Sequence, residues 1–127
     1  MTHAKSFRDL EVYKLARELA RQIFQLSKSF PKGETYSLTD QIRRSSRSVG
    51  GQIAEAWAKP RYEKHFISKL TDADGEQQET QHWLETAFDC VYINTQTLKD
   101  FINRYDSVGK MINSMMNKSN LFCKEKL

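Results

Sequence analysis

Basic side chains recur at helical spacing in the first quarter of the chain, where they are suited to binding phosphate. Four of them, separated by three, four and seven residues, are Lys14, Arg17, Arg21 and Lys28. At about 100° per residue these positions form one ridge on a helix, and charges in a line match a run of phosphates without reading the bases. The alternative is a solvated outer face in which Glu11 and Glu18 partly neutralise the cations.

A second basic cluster precedes a run of small residues. Its arginines are Arg43, Arg44 and Arg47, and the small residues on much the same side are Gly50, Gly51, Ala54 and Ala58. A glycine inside a helix costs about 1 kcal/mol relative to alanine, but it lets a phosphate or another backbone come close. In the alternative interpretation, Arg43 or Arg44 is neutralised within the fold by Glu76 or Glu79.

Motifs for enzymatic or metal chemistry are incomplete. Glu79 and His82 match one half of the di-metal bundle motif, which needs Glu-x-x-His on two helices and a Glu from each of two others. The sequence has no Gly-rich phosphate loop, no G-x-S-x-G motif and no Cys/His pair at catalytic spacing. We therefore expect no enzymatic activity, no metal and no cofactor.

Four polar residues occupy positions that the helical pattern predicts to be interior. They are Ser45, Gln52, Gln77 and Thr80. We interpret them as a layer that sets the register of the helices rather than as a ligand site.

Apolar residues spaced alternately three and four apart predict four amphipathic helices. The helices cover residues 8–29, 38–59, 62–92 and 95–116, and the polar tail over 117–127 is expected to fray. Short linkers make consecutive helices antiparallel neighbours. Residues 1–127 are therefore predicted to form one all-α domain, an antiparallel up-down-up-down four-helix bundle.

The first predicted helix has more apolar surface than one bundle seam requires. Tyr13, Ala20 and Phe24 extend its apolar arc to about half of the circumference. We predict that these three residues form a subunit interface in a homo-oligomer. The alternative is a broad intramolecular core, since tyrosine rings often lie at the boundary with water.

Charge is segregated along the sequence. The net charge is +4, yet residues 71–97 contain six acidic residues and no lysine or arginine. This pattern favours a polyanionic partner, although a solvated basic surface produces it as well. No apolar run reaches the roughly 20 residues of a membrane span, and the N-terminus has no hydrophobic leader. Because Cys90 and Cys123 form no disulfide or zinc pattern, we predict a cytoplasmic protein without membrane contact.

Helix-capping residues, apolar core positions and charged residues follow one another in a characteristic order in four stretches of the sequence. The stretches are FRDLEVYKLARELARQIFQL, FPKGETYSLTDQIRRSSRSV, GQIAEAW and FISKLTDADGEQQETQHWLETA. Together they resemble the four-helix-bundle proteins called 23S rRNA intervening-sequence proteins, over roughly residues 6–115. Members commonly have Ser-Ile-Pro-x-Asn-Ile-Ala-Glu-Gly where this chain has SVGGQIAEA at residues 48–56. Gln52 therefore replaces an asparagine and supplies the same amide one methylene further out.

The resemblance implies an assembly and a class of partner. It implies a bundle that forms a ring-like homopentamer. It also implies a similarity to the accessory variability determinant proteins of diversity-generating retroelements. Those proteins are basic pentamers that contact nucleic acid and a reverse transcriptase. The family name refers to where its genes occur and implies no ribosomal role. Arg43 and Arg44 match the family pattern as candidate binding groups, and no catalytic residue comes with it.

Two functional hypotheses follow from these observations. The leading one is a non-enzymatic oligomeric protein that binds the phosphate backbone of RNA or DNA with little base readout, gaining affinity from repeated sites. The other is a protein-interaction scaffold, or an accessory subunit that docks a partner such as a nucleic-acid enzyme, through the second apolar face of the first helix or the small residues of the second.

Overall fold

Helices make up all of the regular secondary structure in the residues that the computed structural model describes, which are 4–58 and 62–123. There are four long helices and one short one, with no strand in these two ranges. The helices are α1 (Glu11–Ser27), α2 (Leu38–Trp57), α3 (Glu63–Asp89), α4 (Thr95–Asn117) and α5 (Ser119–Cys123). Two single 3-10 turns, Phe7–Asp9 and Lys32–Glu34, precede α1 and α2.

Local hydrogen bonds explain where α1 and α4 begin. The 3-10 turn before α1 has its own cap, because the Ser6 hydroxyl accepts from the backbone of Arg8 and the Asp9 carboxylate accepts from the backbone of Ser6. The chain is extended at Leu10, so α1 starts three residues later than its apolar pattern predicts. At α4 the Asn94 side chain accepts from the backbone of Thr97 at 2.8 Å, as an asparagine cap does.

The four long helices enclose one apolar core. The residues with the largest fully buried side chains include Tyr105, Phe66, Leu19, Ile23, Ile42, Ile53, Leu70, Leu84 and Ile112. Helix α2 packs against α1 and α3, and α4 packs against α3 and α1, so each long helix has two long neighbours. The apolar stripe of α1 is buried in the core, which leaves the opposite side of that helix facing outward.

Polar residues inside the bundle connect α2 with α3. Thr80 donates to the hydroxyl oxygen of Ser45 at 2.9 Å, and both residues are buried. Gln77 is also buried. It lies close to Gly109 of α4, where a Cβ atom would be only 2.9 Å from Nε2 of the Gln77 side chain. Gln52 is half-buried, and its carboxamide oxygen has no hydrogen-bond partner among the described residues. Three of the four predicted layer residues therefore lie in the interior.

The first part of the tail that we expected to fray is helical in the structure. Ser119–Cys123 forms the short helix α5, in which Phe122 stacks on Phe66 with ring centroids 5.5 Å apart and Cys123 is buried. The Phe122 ring thereby covers Phe66 near the start of α3, and this apolar contact favours an ordered helix over 119–123. Residues 124–127, and residues 59–61 at the predicted end of the second helix, lie outside the described residues. No helix in the described ranges is long and apolar enough to cross a membrane.

Candidate nucleic-acid interface

The predicted ridge on α1 lies on the outside of the bundle, but two of its cations already have anionic partners. Lys14 pairs with Glu11 at 3.4 Å. Arg21 donates from Nε and Nη2 to the two carboxylate oxygens of Glu18, at 3.0 and 2.6 Å. Hydrogen bonds from Arg21, and then from Gln22, lower the pKa of Glu18 to about 2. The ridge is therefore divided into neutralised and uncompensated positions.

The other two ridge residues have no carboxylate within 4 Å in the part of the chain that the structure describes. Arg17 is exposed beside a groove between α1 and α2. Lys28 follows the last residue of α1, and its Nζ lies 4.9 Å from the centroid of the Phe24 ring. Both positive charges are available to an external anion.

Arginines of α2 join Lys28 at the Phe24 ring. The guanidinium carbon of Arg43 lies 4.6 Å from the ring centroid, and that of Arg47 lies 5.4 Å from it. These distances are within the range of cation–π attraction. Phe24 is half-buried on α1, so two arginines of α2 and a lysine just beyond α1 lie near one aromatic side chain.

Arg43 contacts α1, which corrects the hypothesis that it pairs with Glu76 or Glu79. Its Nε donates to Oγ of Ser27 at 2.7 Å, and Ser27 donates to the backbone oxygen of Phe24 at 2.9 Å. Consecutive helical residues point about 100° apart. This rotation directs Arg43 toward α1 and its neighbour Arg44 toward α3.

Arg44 is exposed and shares a second groove with acidic residues of α3. The groove is lined by Gln41, Arg44, Ser45, Ser48, Glu76 and Glu79. Among the described residues, no carboxylate oxygen lies within 4 Å of the Arg44 guanidinium nitrogens. Burial raises the pKa of Glu76, the charge of Glu79 raises it further, and a hydrogen bond with Ser48 opposes both. The negative charge nearby makes Arg44 a poorer anion site than Arg43 or Arg47.

Small residues form the floor of the groove between α1 and α2. The groove has a volume of about 300 Å³ and is lined by Phe7, Tyr13, Ala16, Arg17, Ala20, Ser46, Arg47, Gly50, Gly51 and Ala54. A Cβ atom at Gly50 would lie 3.5 Å from the Tyr13 ring, whereas one at Gly51 would meet nothing within 4 Å. Tyr13 and Ala20, which we predicted for a subunit interface, thus line the same groove as Arg17 and Arg47.

Predicted binding and interface residues therefore form one surface, which we call the α1–α2 seam. Its residues are Tyr13, Arg17, Ala20, Phe24 and Lys28 on α1 and just beyond it, with Arg43, Arg47, Gly50, Gly51 and Ala54 on α2. Sequence reasoning assigned the cations and the aromatic residues to separate faces. The signal for the seam was nevertheless present, because residues 13, 17, 20, 24 and 28 repeat at the spacing of a single helical face.

A family model for the 23S rRNA-intervening sequence protein matches residues 8–114. The chain belongs to this family. A solved structure from Bacteroides thetaiotaomicron, described as a protein with unknown function from the S23 ribosomal protein family, is similar to the chain with a TM-score of 0.76. The two sequences are 29% identical, and the alignment covers 84% of this chain and 95% of the other. No curated protein matches the chain.

In this member of the 23S rRNA-intervening sequence family, Glu79 and His82 make contacts within their own helix. Glu79 accepts a hydrogen bond from Nε1 of Trp83 at 3.0 Å, and the His82 ring lies against the Trp83 ring with centroids 4.6 Å apart. Among the described residues, no three His, Cys, Asp or Glu side chains come together as a metal site would require.

Proposed function

We propose that this chain is a non-enzymatic, oligomeric protein that binds RNA or DNA through the phosphate backbone, with little base readout. The proposal depends mainly on one observation. Four cations of the α1–α2 seam have no carboxylate within 4 Å among residues 4–58 and 62–123, and these are Arg17, Lys28, Arg43 and Arg47. An external polyanion is the partner that supplies the missing negative charge.

The difference between the seam and the rest of the α1 ridge supports this choice of residues. Lys14 and Arg21 already interact with Glu11 and Glu18, so a phosphate must compete with a carboxylate for them. Seam cations carry no such cost and release counterions when a phosphate binds. We therefore place Arg17, Lys28, Arg43 and Arg47 in the binding surface and leave Arg44 outside it, because it lies beside Glu76 and Glu79.

Assembly is the second part of the proposal. We infer an antiparallel up-down-up-down bundle, supported by contacts in which the residue number rises along α2 as it falls along α3: Ser45 with Thr80, and Glu55 with Lys69. The bundle would form a homopentamer, as the resemblance to the family implies. Five modest phosphate sites on one ring bind a polymer more tightly than one site does, because each bound site raises the effective concentration of the next.

A binding titration at several salt concentrations tests the proposal. The full chain is titrated against an RNA and a duplex DNA of unrelated sequence, and its native mass is measured in the same buffers. We expect similar affinity for unrelated sequences and a linear fall of log affinity with log salt. Affinity that does not change with salt, or a strong preference for one sequence, would contradict phosphate binding.

A protein-interaction scaffold in the cytoplasm is the second candidate function. The groove of small residues between α1 and α2 favours it, since Gly51 has open space around it and small side chains let a partner helix approach closely. A partner such as a nucleic-acid enzyme would then dock on the groove. Binding to RNA and DNA that is absent at every salt concentration, together with an intact native oligomer, would make this the better account.

A further inference from the structure

The end of the seam at Phe24 contains a more specific arrangement than a basic surface. We propose that Lys28, Arg43 and Arg47 hold one phosphate group together, and that Phe24 is the positioning residue for this phosphate clamp. The inference rests on the proposed nucleic-acid binding and adds the number of phosphates bound at this place. It also gives Phe24 a role different from the subunit contact that its sequence position predicted.

Three positive charges lie near the Phe24 ring. The Nζ of Lys28 and the guanidinium carbons of Arg43 and Arg47 lie 4.9, 4.6 and 5.4 Å from the centroid of the same ring. All three positive groups therefore border one side chain, whereas a backbone track would place its cations in a line. Donors that border one side chain can reach the several oxygens of a single phosphate bound beside the ring, and this shared binding is what we propose.

The positive charges near Phe24 are not compensated by acidic side chains of the described residues. Three like charges gathered at one ring repel each other, and none of them has a carboxylate within 4 Å in the described ranges. The negative face of the Phe24 ring attracts each cation but carries no net charge. A bound phosphate would convert the repulsion into attraction, and the clamp thus gains more from an anion than an isolated surface lysine does.

Arg43 is held in an orientation that suits phosphate binding. Its Nε is engaged by Ser27 at 2.7 Å, and its Nη1 and Nη2 have no hydrogen-bond partner among the described residues. The two terminal nitrogens of a guanidinium match two oxygens of a phosphate in a bidentate contact. Ser27 and Phe24 thus hold Arg43 in place while leaving free the donors that a phosphate needs.

The clamp predicts a particular salt dependence. We compare the unmodified chain with the variant K28Q/R43Q/R47Q, using a duplex DNA short enough to engage one subunit. If the three cations share one phosphate, the slope of log affinity against log salt falls by about 0.9, whereas three separately bound phosphates give about 2.7. We also expect a loss of affinity of about tenfold at low salt. The matched control is K14Q/R21Q, which removes two paired cations from the same helix and should leave the slope nearly unchanged.

Two sources of the phosphate can be separated in the same assay. The duplex is prepared with 5′-phosphate or 5′-hydroxyl ends and an identical sequence. A preference of the unmodified chain for the phosphorylated ends, lost in K28Q/R43Q/R47Q, identifies a terminal phosphate monoester. Equal binding to both duplexes, with an equal loss in the variant, identifies an internal phosphodiester. Either result supports the clamp.

Variants of Phe24 test its positioning role. Phe24→Leu keeps a large apolar side chain and removes the aromatic face, so we expect weaker binding and a smaller salt slope at unchanged native mass. Phe24→Trp keeps an aromatic face, so its affinity and salt slope should equal those of the unmodified chain. If Phe24 only filled space, Phe24→Leu would bind as well as Phe24→Trp. Binding by Phe24→Leu that equals that of the unmodified chain would overturn the positioning role.

The remaining outcomes separate this inference from the proposed function. A fall in slope near 2.7 for K28Q/R43Q/R47Q, or no fall at all, would overturn the shared clamp while nucleic-acid binding stands. An unmodified chain that binds neither duplex at low salt would overturn the nucleic-acid proposal, and the clamp with it. Thermal melting of each variant identifies any loss that comes from unfolding.

Discussion

Arg43 and Ser27 join α2 to the last residue of α1 through a 2.7 Å hydrogen bond from Nε to Oγ. We expect Ser27→Ala to lower the free energy of unfolding by about 1 kcal/mol, because the bond links two helices at a partly buried place. Urea unfolding of S27A, R43Q and the double variant measures the coupling between the two residues. Ser29→Ala is the control, since Ser29 is exposed and donates only to the backbone oxygen of Leu26. Strictly additive effects of S27A and R43Q would show that the bond contributes nothing.

Gly51 and Gly75 form a matched pair for locating the subunit contact. Both are exposed helical residues, and a Cβ atom at either would meet nothing within 4 Å. If the α1–α2 groove is buried between subunits, Gly51→Leu should lower the native mass and Gly75→Leu should not. Sedimentation of both variants at equal concentration is the measurement. Equal native mass for the two would remove the groove from the interface.

Glu34 contributes to the loss of folding stability that we expect at acid pH. Hydrogen bonds from the Ser37 hydroxyl, then from Tyr92 and from the backbone of Leu38, hold its pKa below the usual 4.5. The folded state therefore favours the carboxylate, and this stabilisation is complete above about pH 4.5 and is lost as the pH falls through the pKa of the folded state. Tyr92→Phe should bring the pKa of Glu34 closer to 4.5 and reduce this loss.

An NMR titration of the Glu34 carboxyl, together with melting temperatures across the acid range, measures both effects. Tyr36→Phe serves as the control, because Tyr36 is 93% exposed in the same turn region. An unshifted pKa of Glu34 in Tyr92→Phe would refute the assigned role of the tyrosine, whose own pKa is raised to about 12, mainly by this hydrogen bond.

Val91 lies two residues beyond the end of α3, in a conformation that valine rarely adopts. Its φ is 63° and its side chain is 86% exposed, so a β-branched residue occupies a position that favours glycine. We expect Val91→Gly to raise the free energy of unfolding by about 1 kcal/mol. Val91→Ala distinguishes the causes, since it keeps the Cβ atom while removing most of the exposed apolar surface. A gain in Val91→Ala equal to that in Val91→Gly would argue against relief of backbone strain.

Tyr105 is fully buried on α4, and its hydroxyl has no hydrogen-bond partner among the described residues. Burial raises the pKa of this phenol. Because a buried group without a partner loses its hydration and gains nothing in return, Tyr105→Phe should raise the free energy of unfolding by about 1 kcal/mol. Tyr92→Phe loses a 2.8 Å hydrogen bond to Glu34 and should lower the free energy of unfolding. Denaturant unfolding of the two variants should therefore give changes of opposite sign. A destabilised Tyr105→Phe would indicate an unrecognised partner for the hydroxyl.

Periodic spacing in the sequence was sufficient to predict the four long helices, but not α5. The residues Val12, Ala16, Leu19 and Ile23 are all buried on α1, and α4 begins directly after Asn94, whose side chain caps it. Membership of the 23S rRNA-intervening sequence family agrees with the resemblance found in the caps and charges. These features depend on residues within a few turns of each other, so the sequence contains all the information needed to recognise them.

Tertiary contacts decided how the charges are used. The sequence placed Arg43 and Arg44 side by side, and only packing shows that one contacts Ser27 on α1 while the other lies beside Glu76 on α3. Packing also brought Arg47 to the ring of Phe24 and held Phe122 against the start of α3. Helical periodicity fixes which residues share a face, but which neighbour that face meets, and whether an opposite charge lies within reach, depends on residues far away in the chain.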